Sequence, residues 1–234
     1  MRIIDMNRWC FELGGGHPLL VAQGHAPAPT ILQFPTALDV LKYLANDGTW
    51  QSEIQSGIDR RLKADSEVKS WHRQRDSLMH LCHFRKYKGK HYDVYHDAAR
   101  GVVNETATVK QTLMANGLNH EISASKMVVP QGQLLFHGRA DQALTATPIY
   151  PTFISTSLDP VVAICSALRR SGVRAANGNP LVYVLTVRHP LRAIWGNGGK
   201  PHEWEVLLQS GLKCQSPTVH QGSRFDVIEA TVGI

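Results

Sequence analysis

Gly199-Lys200-Pro201-His202-Glu203-Trp204-Glu205-Val206-Leu207-Leu208 is the stretch on which the fold turns. Glycines at 196, 198 and 199 make a turn that runs into Glu203 and Glu205, and the apolar run after them reads as the start of a buried strand. Alternation along a strand sends residues i and i+2 to one face, so the two glutamates are expected to point the same way. Like charges on one face repel unless a cationic ligand or transition state sits between them. Taken alone, the stretch has two readings: an exposed strand edge with two solvated acids, or a site.

Working outward, the second half of the chain is rich in strand signals. Met127 to Val129, Gln133 to His137, Phe153 to Ser155, Leu181 to Arg188, Glu205 to Gln209, a segment near Leu212 to Cys214, and Phe225 to Val232 all read as strands. Asp159-Pro160 opens a helix, with aspartate as N-cap and proline at the first helical position. The first half reads as helical. Thr36 caps a helix striped by Leu38, Leu41, Tyr43 and Leu44, and a second runs from Ser52 through Ile54, Ile58 and Leu62. Asp65 caps a third carrying Val68, Trp71, Leu78, Met79 and Cys82. Tyr92, Tyr95, Ala99 and Val102 keep helical spacing, and a further helix with Val109, Leu113 and Met114 is expected to end near Gly117. Met1 to Pro35 looks irregular, with one short apolar segment at Leu19 to Val21. Helices first and strands later predict an α+β fold rather than alternating α/β. Residues 1–125 form the helical region of this reading and 126–234 the β-rich core, together one compact unit.

A chain of 234 residues can bury a sizeable core. Its net charge of +6 points to an acidic partner surface or a phosphate-bearing ligand. Cys10, Cys82, Cys165 and Cys214 lie far apart in a chain too large to need stapling and read as reduced thiols. Acids and Asn7 break up the apolar residues of Met1 to Gly16, so no signal-peptide core is expected, and no segment is long enough to span a membrane. Export by a route without a cleaved signal stays open.

Three segments form an ordered set: Leu135-Phe136-His137-Gly138, then Phe153-Ile154-Ser155-Thr156-Ser157, then Glu203-Trp204-Glu205-Val206-Leu207-Leu208. In order, spacing and flanking strands they resemble the ADP-ribosyltransferase superfamily, most closely its toxin-like group with an arginine strand, a Ser-Thr-Ser strand and a Glu-x-Glu loop. The resemblance covers roughly Met127 to Val232. One position departs from that group: His137 precedes Gly138 where its members carry arginine. A His-Gly pair looks like the polymerase branch, in which the histidine meets the adenosine ribose and the glycine backbone pairs with the nicotinamide amide. Arg139 is then the nearest candidate for the phosphate contact.

The resemblance implies two packed short β-sheets with NAD in the cleft between them, and it gives the residues roles. Cleaving the bond from nicotinamide to ribose builds positive charge on the sugar, as in glycoside cleavage. Glu205 would stabilise that charge and hold a ribose hydroxyl, Ser155 would aim Glu205, and Glu203 would take the proton of the acceptor. Thr156 and Ser157 complete the cofactor-binding strand. Trp195 has two readings, stacking on nicotinamide or acceptor, and core packing. Trp204 is expected to pack. The implied activity is NAD-dependent mono-ADP-ribosyl transfer to a protein acceptor, an arginine or a hydroxyl such as the threonine of host ubiquitin that one effector group modifies. A bacterial toxin or effector acting in a host cytosol is the implied setting.

Rival readings are an NAD glycohydrolase, an inactive NAD-binding relative, and a basic nucleic-acid binder using Arg85 to Tyr92, where basic and aromatic residues interleave. A solvated helix-loop junction explains that stretch more simply, and so nucleic acid is not the expected partner. His80, Cys82, His83, His91 and His96 include metal-ligand types, but their spacing matches no zinc pattern, and no metal site is expected. Gly196-Asn197-Gly198-Gly199 lacks the flanks of a dinucleotide-binding or Walker loop.

Overall fold

The computed structural model describes residues 9–13, 30–46, 62–78, 81–139, 150–171, 179–196 and 203–234. Leu19 to Val21, the start of the expected Ser52 helix, Met79, His80 and most of the glycine turn at 197–202 lie outside the described residues.

The expected helix caps are present. Thr36 Oγ1 accepts from the Asp39 backbone N–H at 3.2 Å and donates to its carboxylate at 2.6 Å, opening α1 (Ala37–Asn46). Asp65 Oδ1 accepts from the Glu67 and Val68 N–H groups at 2.8 and 3.3 Å, opening α2 (Ser66–Leu78). The basic stretch forms a short helix, α3 (Cys82–Lys88), which has no capping side chain of its own. Its first free N–H groups are taken by Glu121: His83 donates to Oε1 at 2.9 Å and Phe84 to Oε2 at 2.7 Å. The carboxylate thus ties α3 to α5 (Val109–Ala124), while α4 (Tyr92–Val103) packs beside them. Helix α5 opens on a Thr108/Gln111 capping box and runs past Gly117, where the sequence predicts its end. Gly117 serves close packing instead, because a Cβ there would run into the His83 ring.

Among the described residues, eight strands form one sheet in the order β3-β7-β8-β5-β4-β6-β10-β9. These are β3 (Val128–Val129), β4 (Leu134–Arg139), β5 (Ile154–Ser157), β6 (Leu181–Val187), β7 (Leu191–Trp195), β8 (Glu205–Leu208), β9 (Lys213–His220) and β10 (Asp226–Gly233). Between β5 and β6 runs α6 (Pro160–Ser171), whose Val161 N–H is capped by Asp159 Oδ1 at 2.8 Å. The α+β class is observed, but the two expected sheets are joined into one. The join is slight: β4 and β5 share the single paired position Phe136↔Ser157. The segment read as an irregular lead-in contains β1 (Trp9–Leu13) and β2 (Thr30–Phe34), an antiparallel pair separate from the main sheet.

Two apolar clusters hold the layers together, and each draws on both halves of the chain. Phe84, Tyr87, Tyr95, Leu118 and Ile122 of α3–α5 pack on Phe153, Ile194 and Leu207, on one face of the sheet. The opposite face carries Ile154, Ala193, Trp195, Val206 and Leu208, in a cluster with Val40 and Leu41 of α1 and Val68 and Trp71 of α2. The β5–β8 end of the sheet is therefore buried on both sides. Residues of β8 that share a face with Leu207 must look toward α3.

Candidate active site

Strand register brings the Ser-Thr-Ser and Glu-x-Glu segments side by side. Strand β5 pairs antiparallel with β8, with Ser155 opposite Leu207 and Ser157 opposite Glu205, so Ser155, Ser157, Glu205 and Leu207 share the face toward α3. Ser155 Oγ donates to Glu205 Oε1 at 2.5 Å. Lys88, at the end of α3, donates its ammonium to Glu205 Oε2. The Glu205 residue is only 5% exposed. Its carboxylate lies against Gly196, where a Cβ would overlap it, and the Gly196 N–H donates to the Glu205 carbonyl at 2.9 Å. Glycine is required at 196 for that close approach.

Glu203 is placed differently from the expectation. Strand β8 begins at Glu205, and Glu203 stands in the turn before it, with Trp204 between them at φ 45°. Strand alternation does not reach Glu203, so the prediction that both acids share a strand face is corrected. A tryptophan in the left-handed region is held there by its surroundings. Trp204 is 1% exposed, its ring lies 5.9 Å from His72 and 6.1 Å from Trp195, and its carbonyl accepts from the Leu158 N–H at 3.1 Å. The Glu203 carbonyl accepts from Ser157 Oγ at 2.7 Å, and Ser157 Oγ in turn accepts from the Asp159 N–H at 2.9 Å. Ser157 thus braces the turn that presents Glu203.

Thr156, on the other face of β5, is buried and donates to the Val206 carbonyl at 2.7 Å, away from Glu205. Trp195 is also on that side. It is fully buried against Trp71, and its ring N–H donates to His72 Nδ1 at 3.2 Å. Of its two readings, core packing is the one observed, because the strand turns the ring toward α2 and not toward Glu205. Trp204 packs as expected.

His137 bridges the slight β4–β5 join. Its Nδ1 lies 2.8 Å from the Ser155 carbonyl, which can only accept, so Nδ1 carries the proton. With the ring neutral, Nε2 accepts from the Tyr150 hydroxyl at 2.6 Å. Burial, above all, pushes the Tyr150 hydroxyl well above the usual tyrosine range, with Arg139 opposing, so it keeps the proton it donates. Both ring nitrogens of His137 are engaged within the protein. The ring supplies a cross-strand bond where the ladder lapses, and it fixes the backbone of the residue that aims Glu205. Arg139 stands with its guanidinium carbon 5.5 Å from the centroid of the Tyr150 ring. Gly138 turns the other way, onto α6: a Cβ there would run into the Ala163 carbonyl oxygen and lie 2.9 Å from the Ala167 nitrogen.

The structure thus joins Ser155, Glu205 and the turn bearing Glu203, and adds two residues the sequence reading missed. Lys88 was hidden in a basic run with no feature marking one lysine among four cations. Tyr150 stands just before Pro151 with no motif around it. The nearby histidines serve packing: His83 Nδ1 bonds the Tyr95 hydroxyl at 2.9 Å, and His96 Nε2 the Tyr87 hydroxyl at 3.3 Å. Among the described residues, no cluster of three His, Cys, Asp or Glu could hold a metal ion, and no helix is long and apolar enough to cross a membrane. Cys82, Cys165 and Cys214 are free thiols.

No protein-family model matches this chain, and no curated protein matches its sequence. Solved structures do match. The Vis toxin, an ADP-ribosyltransferase from Vibrio splendidus, aligns with a TM-score of 0.53 at 14% identity, covering 81% of this chain and 89% of that one. The Vis ADP-ribosyltransferase in complex with the M6 inhibitor aligns with a TM-score of 0.56 at 14% identity, covering 82% and 90%. Its complex with agmatine gives 0.50 at 15% identity, covering 80% and 88%. The likeness is one of fold: this chain has an ADP-ribosyltransferase-like fold.

Proposed function

We propose that this chain is a mono-ADP-ribosyltransferase that uses NAD as co-substrate and moves ADP-ribose to a protein side chain. One observation carries the reading: Ser155 Oγ donates to Glu205 Oε1 at 2.5 Å, on adjacent strands of an ADP-ribosyltransferase-like fold. Two motifs read separately from the sequence meet there at a single, nearly buried carboxylate.

The chemistry follows from the donor set. The bond from the ribose C1′ to the nicotinamide nitrogen breaks, nicotinamide leaves with the bonding pair, and positive charge builds on the sugar. A fixed carboxylate beside that sugar opposes the charge without having to reorganise, and Glu205 has that position. An ionised carboxylate offers about four acceptor sites. Ser155 and Lys88 use two, which leaves room for a ribose hydroxyl. Glu203, on the braced turn, takes the proton of the attacking acceptor as the new bond to C1′ forms with inversion. Arg139 is the candidate for the phosphates. His137 acts through Ser155, holding its strand in register, in place of the ribose contact of the polymerase branch. Thr156 and Ser157 support the same strand and the turn.

The acceptor must shed a proton to attack, which fits a guanidinium or a hydroxyl, the threonine of ubiquitin being one such hydroxyl. Agmatine, found in complex with the Vis enzyme, carries a guanidinium and is the first acceptor to try. Action as a toxin or effector on a host protein is the setting this reading implies. Of the helical region 1–125, α3–α5 supply the layer over the site, and the β-rich region 126–234 supplies the strands that carry it.

Glu203→Ala tests the division of labour. Transfer of label from NAD to agmatine or protein should fall by about 100-fold, in the range typical of a lost general base. Release of nicotinamide to water should persist within a few-fold. Equal loss of both would make Glu203 a partner of Glu205 instead. Unchanged transfer would remove it from the mechanism.

A further inference from the structure

We propose that Lys88 is a positioning residue for Glu205, so that helix α3 forms part of the active centre as well as covering it. The proposal rests on the function argued above, because it concerns the geometry of the same carboxylate.

Three separate elements confine that carboxylate. Ser155 of β5 holds Oε1, Lys88 of α3 holds Oε2, and Gly196, just past β7, lets the group come close to the backbone. Remove any one and the group gains freedom to turn about its last torsions. The lysine is itself well held. Its side chain is 26% exposed, and its helix is anchored by buried Phe84 and Tyr87 and by the Glu121 carboxylate on its first N–H groups. Exposed neighbours Arg85, Lys86 and Lys90 on the same stretch make no such contact among the described hydrogen bonds and ion pairs. A charge-assisted bond from an ammonium is stronger and more directional than one from a neutral donor. It also offsets the cost of placing the Glu205 charge where water hardly reaches.

An alternative is that Lys88 blocks the site, occupying the place of the cationic sugar until displaced. The two predict opposite signs. A misplacement of about 1 Å costs on the order of 100-fold in rate. If Lys88 positions Glu205, Lys88→Met should lower kcat for nicotinamide release by about 10- to 100-fold, with KM for NAD within about threefold. Lys88→Arg should recover a substantial part of the loss, because the guanidinium keeps the charge and the donors. Lys86→Met, on the exposed side of the same helix, should match the wild type. A rise in turnover on Lys88→Met, or no change, overturns the proposal.

A second measurement does not depend on turnover. Under native conditions, acylation of Lys88 by an amine-reactive ester, followed by peptide mass spectrometry, should be slower than that of Lys86. In Glu205→Gln the Lys88 rate should rise several-fold. Equal rates at Lys88 in the wild type and in Glu205→Gln overturn the pairing, whatever the enzyme does with NAD. Wild-type protein that leaves NAD intact while showing the labelling difference would refute the transferase reading and keep Lys88 as the residue that holds Glu205.

Discussion

Glu205→Gln is expected to reduce nicotinamide release from NAD by about 1,000-fold, roughly 4 kcal/mol of transition-state stabilisation. Glutamine keeps the shape and the acceptor oxygen that Ser155 reaches, so the change removes the charge and, with it, the bond from Lys88, whose ammonium would face the amide NH2. The charge is what the reaction needs, because the sugar turns cationic as nicotinamide departs. The group is 5% exposed, and water screens it poorly there, which makes its charge worth more than at a surface. NAD affinity should change little, so the loss belongs in kcat. Lys88 loses its counter-charge, yet its side chain is 26% exposed and has solvent to turn to, so the melting temperature should drop by only a few degrees. A rate within threefold of the wild type, in folded protein, would remove Glu205 from the chemistry.

Gly138→Ala should destabilise the fold by about 3 kcal/mol, at the upper end of the usual range for overpacking. Where backbone torsions permit it, glycine to alanine stabilises by about 0.4–1 kcal/mol, by narrowing the unfolded ensemble. Here the new methyl would meet the Ala163 carbonyl oxygen and lie 2.8 Å from its carbon and 2.9 Å from the Ala167 nitrogen. Those are backbone atoms inside α6, and they give way only if the helix moves off β4. Urea unfolding should show a lower midpoint with an unchanged slope, and the melting temperature should fall by about 6–12 °C for a chain of this size. A neutral or stabilising result would mean that α6 does not lie so close. The contact with α6 is a reason for glycine at this position separate from the backbone pairing with nicotinamide that the resemblance implies.

What could be read from the sequence was local chemistry. Thr36, Asp65 and Asp159 announced their helices because a capping side chain bonds its own next turn. The Ser155 and Glu205 strands were legible because each sits in a short, distinctive run. What escaped depends on tertiary placement. Lys88 lies 117 positions from Glu205, and only the docking of α3 through Phe84, Tyr87 and Glu121 singles it out from the neighbouring cations. The strand alternation expected to run from Glu203 to Glu205 stops short because a buried Trp204 takes a left-handed conformation that no strand pattern anticipates. Strand β7 was hidden in the short span after Pro190, where buried Ile194, between buried Ala193 and Trp195, breaks the alternation that exposed Arg192 begins. One sheet or two hinged on the single paired position between β4 and β5, which hydrophobic pattern does not encode.

The central claim is that the Ser155–Glu205 pair sits in a site that cleaves NAD and hands on its ADP-ribose. It is tested most directly by incubating the wild-type chain with NAD labelled in the adenosine, in the presence of agmatine, and separating the products. The account predicts nicotinamide released in step with a labelled ADP-ribosyl-agmatine, both lost in Glu205→Gln. Folded wild-type protein that releases no nicotinamide, with agmatine or with a cell lysate as acceptor, would contradict it.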